Sequence, residues 1–505
     1  MNNITTSYLA KKVKGKLIGD EKPITGIFTF LNHANPGDIV VRHWIDEKGV
    51  EIAAQKNVSC IVTQNPQGKA VEIADKYGIP IIITTKIEFA NAFAIKWAVK
   101  NFAKNSLRVV VTGTNGKSTT AHMIYTILKN SGYSTYTNTD AKSEYNTLID
   151  PVVAKQIAEF ESLNGEKIQA MVIEVSEVQG WFDKLMKDHA HLMTYAVDPN
   201  VVVITNISLD HIGLVNSIEE TFNEIYGSLE ALSNRSPQNS SVDANLRDHS
   251  YAILNSDDPL LMKMAQLVEN QDIKLLFYGS NPIGSSHPDI TLKSDGIYIG
   301  KDLFLKTEKL PFKSKHFIQN TMAAIIACIA LNIGLESIKN AFKSYKPLNR
   351  RFTVLGTKPL VIDDFAHNPD GILATIQSTS KMCDGFLYVV FAIRGSRGES
   401  INILNTEAVV KGLKGIDHTL IITSSADVVD DANTVTNHEK TVVLKTLDKY
   451  GQKYHFEENL CPAIEYSVKS AKETDTILLI GAQGMDSASE VLKIYIRIQI
   501  KKLSK

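Results

Sequence analysis

An α/β protein built on mostly parallel sheets is what this 505-residue sequence predicts, and three observations carry the prediction. Short apolar runs rich in β-branched residues recur at 107–112, 170–175, 201–206, 251–255, 273–278, 359–364, 386–392, 418–423 and 475–480. Patterns of helical period fill the gaps between them, the rhythm of sheets covered on both faces. Glycine-rich or polar turns follow several of the runs, where open α/β sheets place their ligands.

The stretch that organises the rest is LRVVVTGTNGKST, residues 107–119. Its apolar start reads as a buried parallel strand, and from Ser118 the spacing turns helical through His122, Tyr125 and Leu128 until Gly132. Strand, glycine loop and helix in that order make a phosphate cradle. Gly113 and Gly116 let the backbone of Thr114 and Asn115 turn its N–H groups toward anionic oxygens. Lys117 supplies a mobile positive charge for the β- and γ-phosphates, and Ser118, followed by Thr119, offers a hydroxyl to Mg²⁺. The loop is shorter than the common GxxxxGK[ST] form, because Val111 stands where the first glycine would fall. The plainer alternative is a glycine turn capped by Ser118.

Composition excludes several classes. The formal net charge is −1, with acids and bases interleaved, so no electrostatic footprint for nucleic acid or an anionic membrane is visible. Cys60, Cys328, Cys383 and Cys461 form no CxxC pair, which argues against zinc and suits a reducing cytoplasm. The start, MNNITTSYLAKK, lacks a signal-peptide core, and the longest apolar run, near Met322, is too short to span a bilayer. A cytoplasmic, soluble and monomeric protein is expected. Its length suggests about three domains.

In chain order, residues 1–105 read as a small α/β unit. Strands at 60–63 and 79–84 alternate with helices at 47–56 and 70–77, and the turn Asn35-Pro36-Gly37-Asp38 feeds another strand. Phe89, Phe93 and Trp97 form a stripe on a helix over 86–105, better read as core than as a binding site. Residues 106–347 carry the glycine loop and a mostly parallel sheet. Residues 348–505 suggest a further open α/β sheet. The tail VLKIYIRIQIKK alternates apolar and basic residues and reads as an edge strand or covering segment.

Polar residues at the strand ends are the candidates for chemistry. Glu174 is the one acid in the apolar strand AMVIEVS, costly there unless a cation or hydrogen bonds satisfy it; a structural ion pair is the plainer reading. Asn206, Asp210 and His211 follow VVVIT, as a turn and helix cap or facing the same phosphates. Asn255 to Pro259, NSDDP, suits an Asx-turn.

The series TGTNGKST, IEVS, TNISLDHIG and LNSDDP resembles the central domain of the Mur ligases, ATP-dependent amide-forming enzymes. HFIQNTMAAIIACIALNIGLESIKNAF is similar to the family helix bearing an HNxxN-type motif. NRRF resembles its GRxE signature, VIDDFAHNPDGI its DYAHNP motif, and NPGDIVV the N-terminal domain of the muramyl-tripeptide branch. Each string is weak alone; their order over the whole chain is specific. The resemblance implies three domains. Residues 1–105 would bind a nucleotide-linked substrate, 106–347 ATP, and 348–505 the amino acid, with closure over the site.

The same resemblance implies roles. Lys117 would hold the γ-phosphate, Ser118 and Glu174 one Mg²⁺, and His211 a second, an unusual ligand for a cation that prefers oxygen. Asn320 would approach the nucleotide base, with His316 helping; a helix N-terminal cap is the alternative for both. Arg351 and Asp364 would close on the nucleotide, and His367 would shape the mouth of the site. In FAIRGSRGES, Arg394 and Arg397 bracket a glycine turn suited to an incoming amino acid's carboxylate, with a solvated turn as the alternative. The implied activity is ATP-dependent and ADP-forming, adding an amino acid to a UDP-linked peptide precursor through an acyl phosphate.

Three departures narrow the branch. The lysine that is commonly carbamylated after the DH motif is absent from IEETFNEIYGSLEAL, so another group bridges the metal or Glu224 replaces it. A DSR-type uridine motif is replaced by Phe30-Leu31-Asn32, and the DNPR motif that selects diaminopimelate is missing. These changes, with the RGSRG loop, resemble archaeal ligases proposed to build pseudomurein peptides. Remaining alternatives are a folylpolyglutamate- or cyanophycin-type amide ligase, a regulatory P-loop NTPase and a catalytically inactive nucleotide-binding scaffold.

Overall fold

The computed structural model describes residues 4–139, 151–181, 184–208, 210, 214–215, 217–234, 250–269, 271–283, 287–310 and 314–503. The chain forms two compact units, 1–312 with 317–345, and 313–316 with 346–505.

The first unit holds two large sheets. Strands β1 (Gly15–Ile18), β2 (Phe28–Thr29), β3 (Ile39–Ile45), β4 (Cys60–Pro66) and β5 (Ile81–Thr84) lie in the order β1-β5-β4-β3-β2. All their pairings are parallel except β1 with β5. The turn into β3 forms as its residues dictate. Gly37 takes a φ of +87°, Asp38 N–H donates to the Asn35 carbonyl at 3.1 Å, and the Asp38 carboxylate accepts from Asn35 N–H at 2.9 Å. Helices α1 (Glu47–Gln55), α2 (Ala70–Lys76) and α3 (Ile87–Phe102) accompany this sheet. On α3 the aromatic stripe is core-facing: Phe28 meets Phe93 and Trp97 edge-on, at ring separations of 5.7 and 5.2 Å.

The second sheet has nine strands. They are β6 (Leu107–Thr112), β7 (Thr135–Thr137), β8 (Ala170–Glu174), β9 (Val201–Ile204), β10 (Ser250–Asn255), β11 (Ile273–Gly279), β12 (Ile290–Leu292), β13 (Gly296–Ile299) and β14 (Asp302–Lys306). Their order is β14-β13-β12-β11-β10-β9-β6-β8-β7, parallel except along the β12-β13-β14 meander. Every residue of β6 is buried, the apolar stretch Val109–Val111 by its nature and Arg108 by its pairing with Asp198 at 3.1 Å. The chain leaves β6 for β7 and β8 on one side and then crosses to β9 on the other. The carboxyl end of β6 is therefore the switch point where a parallel sheet opens a crevice. Register aligns the three strand ends: Glu174 pairs with Val111 and Ile204 with Thr112. The NSDDP turn is the expected Asx-turn. Asp257 N–H donates to Asn255 Oδ1 at 3.0 Å, Asp258 caps the following helix, and Pro259 takes its first position.

The second unit is a six-stranded sheet of β15 (Thr353–Thr357), β16 (Leu360–Asp364), β17 (Leu387–Ala392), β18 (His418–Thr423), β19 (His455–Glu457) and β20 (Thr476–Ile480). Its order is β15-β16-β20-β17-β18-β19, with only β15 antiparallel to its neighbour. One expectation is corrected here. The tail is not an edge strand but a helix, Ala488–Leu503. Ala488 and Leu492, four residues apart, are buried in the core with Leu460 and Ile464 of the helix Leu460–Ser470, while Ile494 is exposed. Packing of one helical stripe against that neighbour overrode the β-branched alternation.

Candidate active site

Three loops converge at the switch point of the nine-stranded sheet. The first, 113–116, leads into helix α4 (Lys117–Asn130). Gly113 sits at φ +113° and Gly116 at φ +86°, both left-handed conformations that favour glycine. Contact forbids a side chain at either as well. A Cβ on Gly113 would run into the Thr205 hydroxyl, and one on Gly116 into the Asn320 amide. Asn320, expected near the nucleotide base, thus packs directly against the loop.

The second loop, 205–208, zips the first into place. Thr114 N–H donates to the Asn206 carbonyl at 3.0 Å, and Asn115 N–H to Asn206 Oδ1 at 3.0 Å. Asn206 Nδ2 donates to the Asn115 carbonyl at 2.8 Å, and Ser208 N–H to Thr114 Oγ1 at 3.0 Å. Asn206 is therefore a brace for the loop, and the Thr114 and Asn115 N–H groups, expected to turn toward anionic oxygens, donate to it instead. Asp210 is buried, and His211 lies outside the described residues.

The third loop follows β8. Two hydroxyls hold the Glu174 carboxylate: Ser118 Oγ donates to Oε1 at 3.0 Å and Thr139 Oγ1 to Oε2 at 3.2 Å. Its backbone exchanges two hydrogen bonds with the Asn138 side chain, at 2.9 and 3.0 Å. Thr119, next to Ser118, is buried in the first turn of α4. Lys117 Nζ donates to the Thr114 carbonyl at 2.9 Å and lies 2.6 Å from Glu177 Oε2. The Glu177 side chain is 0% exposed and that of Lys117 15%.

Asn138, Thr139 and Glu177 escaped the sequence reading. The signals available were weak: the polar run TNTD after a short strand, and a second acid in IEVSE. Ser118 and Glu174 present a hydroxyl and a carboxylate at the N-terminus of a helix, hard oxygen donors that fit Mg²⁺. Among the described residues no group of three or more His, Cys, Asp or Glu side chains assembles. Glu224, on the helix Ile218–Ser233, is engaged elsewhere. Burial raises its pKa, and its carboxylate accepts from Asp188 N–H at 3.2 Å, where the helix His189–Val197 begins.

The candidates of the second unit form their own group. Asp364 is buried and its carboxylate accepts from Phe352 N–H at 2.7 Å, Ala366 N–H at 3.0 Å and Thr375 Oγ1 at 2.9 Å. The Arg351 guanidinium lies over the Phe365 ring at 4.6 Å. His367 accepts at its carbonyl from Asn405 Nδ2 at 2.8 Å and from Arg394 Nη1 at 3.4 Å, so His367 and Arg394 are brought together. Arg394 is buried, whereas Arg397 is exposed on the glycine turn. His316, at the start of the helix Lys315–Ala330, has its ring 6.2 Å from that of Phe352.

A strand, a glycine turn and a helix opening on Lys-Ser, with a carboxylate on the serine, define a phosphate-loop α/β protein. The Mur ligase middle domain matches residues 111–328, and the Mur ligase, glutamate ligase domain matches 350–483. Together these cover more than half of the chain, which belongs to the Mur ligase family of acid–amino-acid ligases. The UDP-N-acetylmuramoyl-L-alanyl-D-glutamate–2,6-diaminopimelate ligase of Listeria monocytogenes is 23% identical over 455 residues, 88% of this chain and 84% of that one. The UDP-N-acetylmuramate–L-alanine ligase of Syntrophomonas wolfei is 25% identical over 292 residues, and only 54% of its length is matched. In fold, MurF from Acinetobacter baumannii superposes with a TM-score of 0.66 at 15% identity, covering 98% of each chain. A pseudomurein peptide ligase type C from Methanothermus fervidus gives 0.53 at 16% identity, covering 90% of this chain and all of that one. At such identities the superpositions speak for the fold alone. Among the described residues no helix is long and apolar enough to cross a membrane.

Proposed function

We propose that this protein is an ATP-dependent, ADP-forming ligase that adds an amino acid to a UDP-linked peptide precursor of a pseudomurein-like cell-wall polymer. The observation that carries the reading is Ser118 Oγ on Glu174 at 3.0 Å, beside the Lys117 ammonium at the head of α4. That arrangement suits a triphosphate and its Mg²⁺.

In this reading the carboxylate of the precursor attacks the γ-phosphorus of ATP, the bond to the β-phosphate oxygen breaks, and ADP leaves. The resulting acyl phosphate has a good leaving group where the free carboxylate had none. The amine of the amino acid attacks its carbonyl carbon, inorganic phosphate departs, and the nitrogen gives up a proton. No nucleophilic side chain is required, so positioning and charge compensation do the catalysis. Mg²⁺ on Ser118 and Glu174 supplies charge compensation at the phosphates. Lys117 orients the γ-phosphate, and Asn206 and Asn320 keep the loop in shape. His211 is assigned to a second Mg²⁺ from the family motif.

Residues 1–105 are assigned to the nucleotide-linked precursor, 106–347 to ATP and 348–505 to the amino acid. Arg351 and Asp364 are assigned to the nucleotide, Arg394, Arg397 and His367 to the amino acid side. The pseudomurein assignment is supported by the departures from the bacterial uridine and diaminopimelate motifs. A cytoplasmic monomer is the expected state.

The test is ADP and phosphate release from purified protein, screened over the amino acids against candidate nucleotide-peptides. Release that needs both a carboxylate and an amine substrate is expected. Release without either points to a regulatory NTPase, and release with muramyl precursors only removes the pseudomurein assignment.

A further inference from the structure

The outer edge of the nine-stranded sheet carries a concentration of positive charge that the ligase reaction does not use. Strand β14, the turn Thr307–Lys309 that follows it and the helix Leu335–Lys343 enclose a cavity of about 360 Å³. That is the size of a small-ligand pocket. On the helix, Glu336, Lys339, Phe342 and Lys343 recur at helical spacing, so a single stripe supplies one wall. Phe342 and Phe304 of β14 are both buried and give the cavity its apolar lining. Lys306, Lys309, Lys339 and Lys343 line it as well, against one acid, Glu336. The chain as a whole has a net charge of −1, so this bias is local.

The ammonium groups are only lightly committed. Lys306 lies 3.7 Å from Glu308 and Lys339 3.1 Å from Glu336, acids whose side chains are 71% and 79% exposed. Lys343 Nζ donates to the neutral Asn340 Oδ1 at 2.7 Å. Pairs screened by water in this way contribute little and give way readily to another anion. Like charges around one cavity also repel, and a multiply charged anion relieves that repulsion. No arginine lines the cavity to offer a carboxylate its two-pronged partner, whereas lysine serves phosphate as a point charge. The aromatic lining is buried and recessed, so it suits an enclosed ligand better than the face of a bilayer.

We propose that this cavity is a second anion site, for a small organic phosphate with a compact apolar body. The phosphate sits among Lys306, Lys309, Lys339 and Lys343, and the apolar body lies against Phe304 and Phe342. The site shares no residue with the loops around Lys117.

The test titrates the full chain with 1-naphthyl phosphate, following the fluorescence of the probe. Saturable binding below about 1 mM is expected, with inorganic phosphate and 1-naphthol each at least about tenfold weaker. The double variant Lys309→Gln with Lys343→Gln, both exposed positions, should lose about tenfold in affinity. Lys301→Gln, on an exposed lysine nearby that does not line the cavity, should stay within about twofold. Saturating Mg²⁺ and adenylyl imidodiphosphate should leave the probe in place, and competition between the two would put it in the phosphate loop and overturn the proposal. An equal loss in Lys301→Gln and the double variant, or no loss in either, overturns it too. So does 1-naphthol binding as tightly as its phosphate. Uptake on phosphatidylglycerol vesicles without capture of the soluble probe would assign these lysines to a membrane surface instead.

Discussion

Two loops of this molecule begin alike and end with opposite electrostatics. Each follows a buried parallel strand, turns on glycine and enters a helix: 113–116 between β6 and α4, and 393–398 between β17 and the helix Glu399–Leu413. In the first, the N–H groups of Thr114 and Asn115 go to neutral acceptors on Asn206, and the carboxylate of Glu177 meets a side-chain ammonium. In the second, the N–H groups of Ser396, Arg397 and Gly398 all donate to the Glu439 carboxylate, at 3.2, 2.9 and 2.8 Å. Burial opposes ionisation of Glu439, but the N–H donors of Thr436, Gly398 and Arg397 outweigh it and hold its carboxyl below the usual range. The second loop therefore carries its own anion, fixed to backbone. The first has its carboxylate on a side-chain ammonium and not on backbone N–H groups.

The largest expected effect breaks the first loop. Lys117→Ala should lower ADP formation by about 10³-fold or more while circular dichroism stays unchanged. Glu174→Ala should do the same, and retained turnover in either would remove the loop from the chemistry.

Acid separates the two units next. In the first, burial lowers His189 and His122 to about 4, and neither ring nitrogen of His189 has a hydrogen-bond partner among the described residues. Their neutral forms stabilise the fold fully above the ordinary histidine value near 6.5. That contribution is lost as pH falls from there toward about 4, roughly 3 kcal/mol for each. In the second unit, burial outweighs the pull of Arg350 and raises Asp363 to about 6. Its contribution has the other sign, full below the ordinary aspartate value and lost as pH rises through about 6. Trp44, Trp97 and Trp181 all belong to the first unit. Tryptophan emission should therefore shift at a higher pH than the last of the far-ultraviolet signal is lost, and coincident transitions would contradict this.

Glu439→Ala removes the acceptor of three loop N–H groups and half of the capping box that Thr436 and Glu439 form at the helix Asn437–Lys449. A loss of about 2–3 kcal/mol is expected from the urea midpoint, with Glu439→Gln milder. The smallest effect falls on the exposed arginine of the same loop. Arg397→Ala should raise the KM for the amino acid about tenfold with little change in kcat, and an unchanged KM would leave Arg397 a solvated turn residue.

Much of this architecture was legible locally. Strand and helix periods located the sheets, because burial on both faces leaves continuous apolar runs. The spacing of Gly113, Gly116, Lys117 and Ser118 located the phosphate loop, because backbone geometry there tolerates little else. The tail misled, since alternation over a dozen residues also fits a helix once a neighbour offers one apolar stripe.

The sequence by itself determined which residues can form a phosphate cradle and where along the chain the strands fall, since both are questions of local period and backbone freedom. Only the tertiary structure decided what each charge faces. Glu177 on Lys117, Thr139 on Glu174 and Glu439 on a loop some forty residues away are pairings set by strand order and register, and no short-range pattern encodes them.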